Sequence, residues 1–191
     1  MKYNFRYTLN FSTSFRIIIS FILFFSFTGK LFADVCVWRN PERTMVLIFP
    51  QARDYKTLDR KISNEREAEI EKLLGKPLDP GERESWSHYE IVGSNGKALG
   101  YIIADAEKGE YGVIEVVMGI TPDGKVKQVY IQRERERDKE FKSKEFLNQF
   151  VGKTKDEPIQ IGEDIKVGRS LPAEQAALAV KKMLIMFYEL H

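Results

Sequence analysis

The chain has 191 residues, 43% hydrophobic and 30% charged, with 30 basic against 28 acidic side chains and a formal net charge of +2. This composition excludes intrinsic disorder, a collagen-like repeat and a multi-span membrane protein, and it suits one folded domain. Residues 1–33 carry Lys2, Arg6, Arg16 and Lys30 and no acid, so taking these four away leaves 26 basic against 28 acidic residues, a net −2. The folded part therefore lacks the basic surface that nucleic-acid binding needs.

Residues 1–33 read as an export signal. A basic start is followed by an apolar run from Ile17 to Thr28 and a polar break ending Lys30-Leu31-Phe32-Ala33. That run is too short for a hydrocarbon core about 30 Å thick, which takes roughly 20 apolar residues, but it fits a signal-peptide core. Leu31 and Ala33 suit the cleavage positions, so the mature chain is expected to begin at Asp34. An uncleaved N-terminal anchor is the alternative, and both readings place the folded part outside the cytoplasm, on the periplasmic or extracytoplasmic side. The single cysteine, Cys36, follows Val35 rather than the small residue a lipoprotein signal requires, and one thiol excludes an intrachain disulfide.

Three segments make up an expected extension over 34–85. Asn40 and Pro41 start a helix that Pro50 stops. Tyr55–Ile62 reads as a short strand. Asn64 caps a second helix with Glu67 in the capping-box position, a stripe of Ile70, Leu73 and Leu74, and Gly75 as its end. Residues 76–87, with Pro77, Pro80 and Gly81, read as a loop.

The pattern then changes to strands, and residues 86–191 read as the main domain. His88–Val92 and Lys97–Ala104 flank Ser94-Asn95-Gly96, a hairpin signal because Asn-Gly accepts positive φ. Val113–Ile120 and Lys125–Gln132 flank Thr121-Pro122-Asp123-Gly124. Ile114, Val116, Met118 and Ile120 share one face, which predicts an antiparallel sheet covered on that side. Ser143 caps a helix with a stripe of Phe146, Leu147, Phe150 and Val151 before Gly152. A last helix, from about Ala173 to Tyr188, is apolar enough to be largely buried. The expected fold class is α+β, an antiparallel sheet of hairpins packed against helices.

Few residues offer chemistry. His88 and His191 have no metal-ligating neighbours in sequence, and no hydrolase nucleophile motif or P-loop is present. Arg133-Glu134-Arg135-Glu136-Arg137-Asp138-Lys139-Glu140 alternates in sign. As a continued strand it would present a basic ridge; as a strand end and loop it is a solvated surface worth little. Asp164-Ile165-Lys166-Val167-Gly168-Arg169-Ser170-Leu171-Pro172 precedes the apolar helix. Gly168 permits a close turn, and Ser170 and Leu171 sit at the start of the helix, where free N–H groups suit a phosphate monoester. The same stretch also reads as a glycine turn with a serine cap.

The order of these elements, with Gly100-Tyr101-Ile102-Ile103, the Gly109-Glu110-Tyr111-Gly112 turn, Ile120 to Val126, Phe150-Val151-Gly152-Lys153 and the Asp164–Ser170 stretch, resembles the FMN-binding domain family. Its members include the G subunit of Rnf electron-transport complexes and the C subunit of the sodium-translocating NADH:quinone reductase. The likeness covers about residues 86–190, and Ile48-Phe49-Pro50-Gln51-Ala52 resembles the segment leading into those domains. In that family a flavin transferase joins the FMN phosphate to a hydroxyl within Asp-x-x-Ser/Thr-Gly-Ala-Ser/Thr-x-Ser/Thr. The resemblance places that aspartate at Asp164, the glycine at Gly168 and the flavin-bearing hydroxyl at Ser170. Val167, Arg169 and Pro172 depart from the motif, and the charged run stands where those subunits carry a threonine-proline-glycine loop.

The resemblance implies an exported FMN-binding electron-transfer protein or subunit. Its flavin phosphate would be held or covalently attached near Ser170 by Asp164, Gly168, Arg169 and Leu171, with Arg169 offering the bidentate geometry phosphate accepts. It also implies a membrane electron-transport complex or extracytoplasmic redox partner, with a flavin transferase in the covalent case. A cofactor-free docking module of such a complex is the alternative. A self-standing enzyme is less expected, because no nicotinamide-binding glycine fingerprint is present.

Overall fold

Alternating apolar residues and the glycine turns between them build an antiparallel sheet. The computed structural model describes residues 41–166 and 168–191; the export segment, Cys36, the Asn40 cap and Val167 lie outside the described residues. The elements are α1 (Pro41–Ile48), β1 (Ala52–Lys61), α2 (Asn64–Leu74), β2 (Ser85–Gly93), β3 (Ala98–Lys108), β4 (Val113–Ile120), β5 (Val126–Arg133), α3 (Lys144–Asn148) and α4 (Leu171–Leu190). The five strands lie in the order β1-β2-β3-β4-β5 with every neighbour antiparallel. The fold is α+β, and β1, from the 34–85 segment, forms one edge of this sheet.

Both expected turns form. Gly96 at φ 73° closes the β2–β3 connection and Gly124 at φ 84° closes β4–β5, each at a backbone angle that favours glycine. The capping details differ for α2: Ser63, in extended conformation, accepts the Arg66 N–H and is the cap, while Asn64 is already helical. Leu73 and Val151, both expected in buried stripes, are exposed. Helix α3 ends at Asn148, and turns carry the chain on to Gly152.

One face of the sheet packs against α4 and α3. Ile114, Val116, Met118 and Ile120 are fully buried there against Phe146, Phe150, Ala173, Ala176, Ala177, Val180 and Leu184. The other face of β4 is covered too, which its alternation did not indicate. Ile48 and Phe49 lie over Ile91, Ile102 and Val117. Gly119 and Gly100 make that approach possible, since an added Cβ would come within 2.3 Å of Ile48 Cγ2 and 2.7 Å of Phe49 Cζ.

Lys182, midway along α4, is 3% exposed and reaches Glu82, Asp105 and Glu107 at 2.5, 3.0 and 2.8 Å. Burial alone would lower its affinity for a proton, but the three carboxylates outweigh it and hold the ammonium above the ordinary lysine value. Burial pushes Asp105 up to about 7, against the opposing pull of Lys182. No helix among the described residues is long and apolar enough to cross a membrane.

Because folded Asp105 keeps its proton to a higher pH than the unfolded chain, its own contribution to stability falls as pH rises from about 4 to about 7. Urea unfolding of the unsubstituted chain and of Asp105→Asn at pH 4.5 and 7.5 isolates this group: the variant should gain roughly 1–3 kcal/mol relative to the unsubstituted chain between the two pH values. A difference between the two proteins that does not change with pH would refute the assignment.

Candidate functional site

The stretch from Asp164 to Leu171 leads directly into α4, but its residues take different roles. Asp164 is turned inward along its own loop. It accepts the Ile159 N–H at 3.2 Å, the Gln160 N–H at 2.7 Å and Lys153 Nζ at 2.6 Å. Burial raises its proton affinity, but the Gln160 N–H and Lys153 outweigh this and hold the carboxyl below the usual range. These bonds stabilise Ile159 at φ 45°, a conformation unfavourable for a β-branched residue. Asp164 thus shapes the loop.

Gly168 adopts φ 85°, and a Cβ there would lie 2.7 Å from Phe146 Cδ2 and 2.9 Å from Ala173 Cβ. No other residue lets the chain pass between α3 and the first turn of α4. Ser170 follows in extended conformation at the N-cap position, yet its side chain makes no capping bond. Its hydroxyl donates instead to Asp138 Oδ2. Arg169 is exposed and forms no ion pair among the described residues. Leu171, the first residue of α4, is also exposed.

Asp138 belongs to the alternating run, and its position there is what sequence reading missed. Strand β5 ends at Arg133, so no basic ridge forms. Glu134, Glu136 and Asp138 take hydrogen bonds from their surroundings, while of the run's bases only Lys139 pairs with one of its acids. Arg133 pairs with buried Glu115 at 3.3 Å, and Glu134 takes Lys139 at 2.9 Å and Lys142 at 2.6 Å. Together those lysines hold the Glu134 carboxyl down at about 2. Glu136, 1% exposed, accepts the N–H groups of Glu110 at 3.1 Å and Tyr111 at 3.0 Å. Arg137 lies over the Tyr111 ring, 4.6 Å from its centroid. The 109–112 turn, the charged run and the start of α4 therefore meet at one place, with Tyr111, Arg137, Arg169 and Leu171 outward and Asp138 bonded to Ser170.

The two histidines, far apart in sequence, are joined by the fold. His88 Nε2 and His191 Nδ1 share a 3.1 Å hydrogen bond. His88 is fully buried and stacked on Trp86, and burial, reinforced by the neighbouring His191, lowers its proton affinity to about 4. The pair is a neutral packing element between β2 and the end of α4. Among the described residues no group of three or more His, Cys, Asp or Glu is arranged to hold a metal ion.

For a phosphate monoester the donors are Arg169 and the first-turn N–H groups of Leu171 and Ala173, which lack helical acceptors; Pro172 has none to give. This set fits the group. Ser170 can donate to it only after its proton is released from Asp138.

No protein-family model matches the chain, and no curated protein matches its sequence. Among solved structures it is similar to the crystal structure of Shewanella oneidensis NqrC, at 14% identity and a TM-score of 0.44, with 82% of this chain and 86% of that chain covered.

Gly168→Ala should destabilise the protein by about 2 kcal/mol or more, because positive φ and two close contacts act together. Gly162→Ala, at φ 89° with open space around it, should cost only about 1 kcal/mol. Chemical denaturation of the two variants checks this; equal losses would mean that the Phe146 and Ala173 contacts contribute nothing.

Proposed function

We propose that the chain is an exported FMN-binding electron-transfer protein or subunit, with the flavin phosphate held or attached near Ser170. The observation that carries this reading is the conformation of the loop before α4. The motif's glycine falls on a residue at φ 85° wedged against Phe146 and Ala173, and its hydroxyl falls on a serine whose side chain is not used to cap the helix. Arg169 adds an exposed cation beside that hydroxyl, able to pair with phosphate in bidentate fashion.

The flavin, once bound, would supply the redox chemistry, and the chain its position and electrostatic surroundings. Its partners would be a membrane electron-transport complex or an extracytoplasmic redox protein, with a flavin transferase if attachment is covalent. Export follows from residues 1–33 on this reading, with cleavage after Ala33.

A second reading is favoured by a specific observation. Asp138 already holds the Ser170 hydroxyl, and Lys139 and Lys142 are both paired with Glu134. Such a surface also suits a cofactor-free module that docks on a membrane complex.

Co-expression of the full chain with a flavin transferase, followed by purification and denaturation, separates these cases. Flavin fluorescence that stays with the denatured band and disappears in Ser170→Ala indicates a phosphoester; flavin released to the supernatant indicates noncovalent binding. A colourless protein that takes up no added FMN overturns the flavoprotein reading and leaves the docking module.

A further inference from the structure

Ser170 is the residue on which phosphate recognition would turn, and it is already occupied from within the chain. Its Oγ donates to Asp138 Oδ2, while Asp138 Oδ1 accepts the Glu140 N–H at 2.9 Å. None of the described cations forms an ion pair with Asp138: Lys139, the next residue, is tied to Glu134. The Asp138 charge is held by the Ser170 hydroxyl, the Glu140 and Lys139 amides and the Lys139 charge, and it stands beside the positive end of α4, where a phosphate would draw on the same hydroxyl. Glu174 already supplies a second carboxylate in the first turn of that helix. A phosphate carries up to two negative charges at pH 7, so it cannot share the Ser170 hydroxyl with a carboxylate in hydrogen-bond contact.

We propose that Asp138 is a built-in competitor for the phosphate of the flavin, and that loading requires Asp138 to release Ser170. This rests on the FMN-binding reading above and adds a regulatory contact to it. Release needs only a local change, because Asp138 lies on an irregular loop between the end of β5 and the 3-10 turn Glu140–Lys142. The Glu136 anchor two residues earlier keeps the rest of the run in place.

Asp138→Asn is the informative substitution. The amide oxygen can still accept the Glu140 N–H, so the turn is retained. Its nitrogen donates where the carboxylate accepted, which frees the Ser170 hydroxyl to donate to a phosphate. FMN and riboflavin differ by that phosphate alone, so affinities for both are measured by flavin fluorescence quenching on the purified full chain. Asp138→Asn should tighten FMN binding by about tenfold or more and leave riboflavin unchanged. Asp138→Ser, which also removes the charge and keeps a short acceptor, should act in the same direction and serves if the Asn variant folds poorly. Unchanged or weakened FMN binding in both variants, or equal tightening of both flavins, overturns the competitor role while leaving FMN binding intact. Failure of the wild type and both variants to bind either flavin overturns the FMN reading itself, and this inference with it.

Discussion

The placement of α4 across the sheet determines where every candidate group lies. Ala173, Ala176, Ala177 and Ala179 are almost fully buried, and such small side chains let the first half of the helix come close to β4 and to Phe146. Farther along, Lys182 meets Glu82, Asp105 and Glu107 at once. A buried ion cluster contributes little net stability because desolvation offsets the attraction, but it tolerates few arrangements. A rotation of α4 that kept its apolar surface covered would still strand that ammonium. Depth is thus set by alanines and rotation by one lysine, and the start of the helix follows from both.

Once the start of α4 is fixed, the preceding loop has little freedom. Gly168 passes through a gap that admits no Cβ, and Asp164 ties residues 159–165 together from the other side. The charged run is then built against this surface from the opposite direction. Glu136 draws the 109–112 turn inward, and two residues later Asp138 reaches Ser170. Three loops remote in sequence are joined by two carboxylates, which makes this corner of the molecule a polar construction on an apolar support.

Much of the fold is legible in the sequence because its signals are local. Asn95-Gly96 and Pro122-Asp123-Gly124 announce their turns through backbone geometry alone, and the even-numbered residues of β4 announce the face against α4. What escaped depends on distant partners. Val117 and Gly119 look like the outer face of a half-covered sheet until Ile48 and Phe49 arrive from the segment before β1. Leu73 and Val151 obey helical spacing, yet both are exposed. Ser63 takes the cap from Asn64 because extended backbone one residue earlier gives its hydroxyl the geometry to accept the Arg66 N–H. Near the start of α4 the turn at Gly168 and the helix start at Ser170 were legible, whereas the Asp138 contact was hidden in an alternation that conveys sign but not direction.

On the flavin-binding reading proposed above, Val167, Arg169 and Pro172 depart from the attachment motif, and the groups around Ser170 decide what those departures would do. Pro172 offers no amide donor in the first turn, Asp138 accepts the hydrogen bond of the Ser170 hydroxyl, and Arg169 contributes a guanidinium that forms no ion pair among the described residues. For a phosphate ligand, these changes move recognition away from neutral donors in a fixed loop and toward one exposed cation. Neutral donors recognise the ligand largely by shape, whereas an exposed cation attracts it by charge that dissolved ions screen within about 10 Å at moderate ionic strength. The net charge of −2 beyond residue 33 therefore says little about ligand preference. On that reading, the balance among Asp138, Glu174 and Arg169 at the head of one buried helix would decide whether an anion is admitted there.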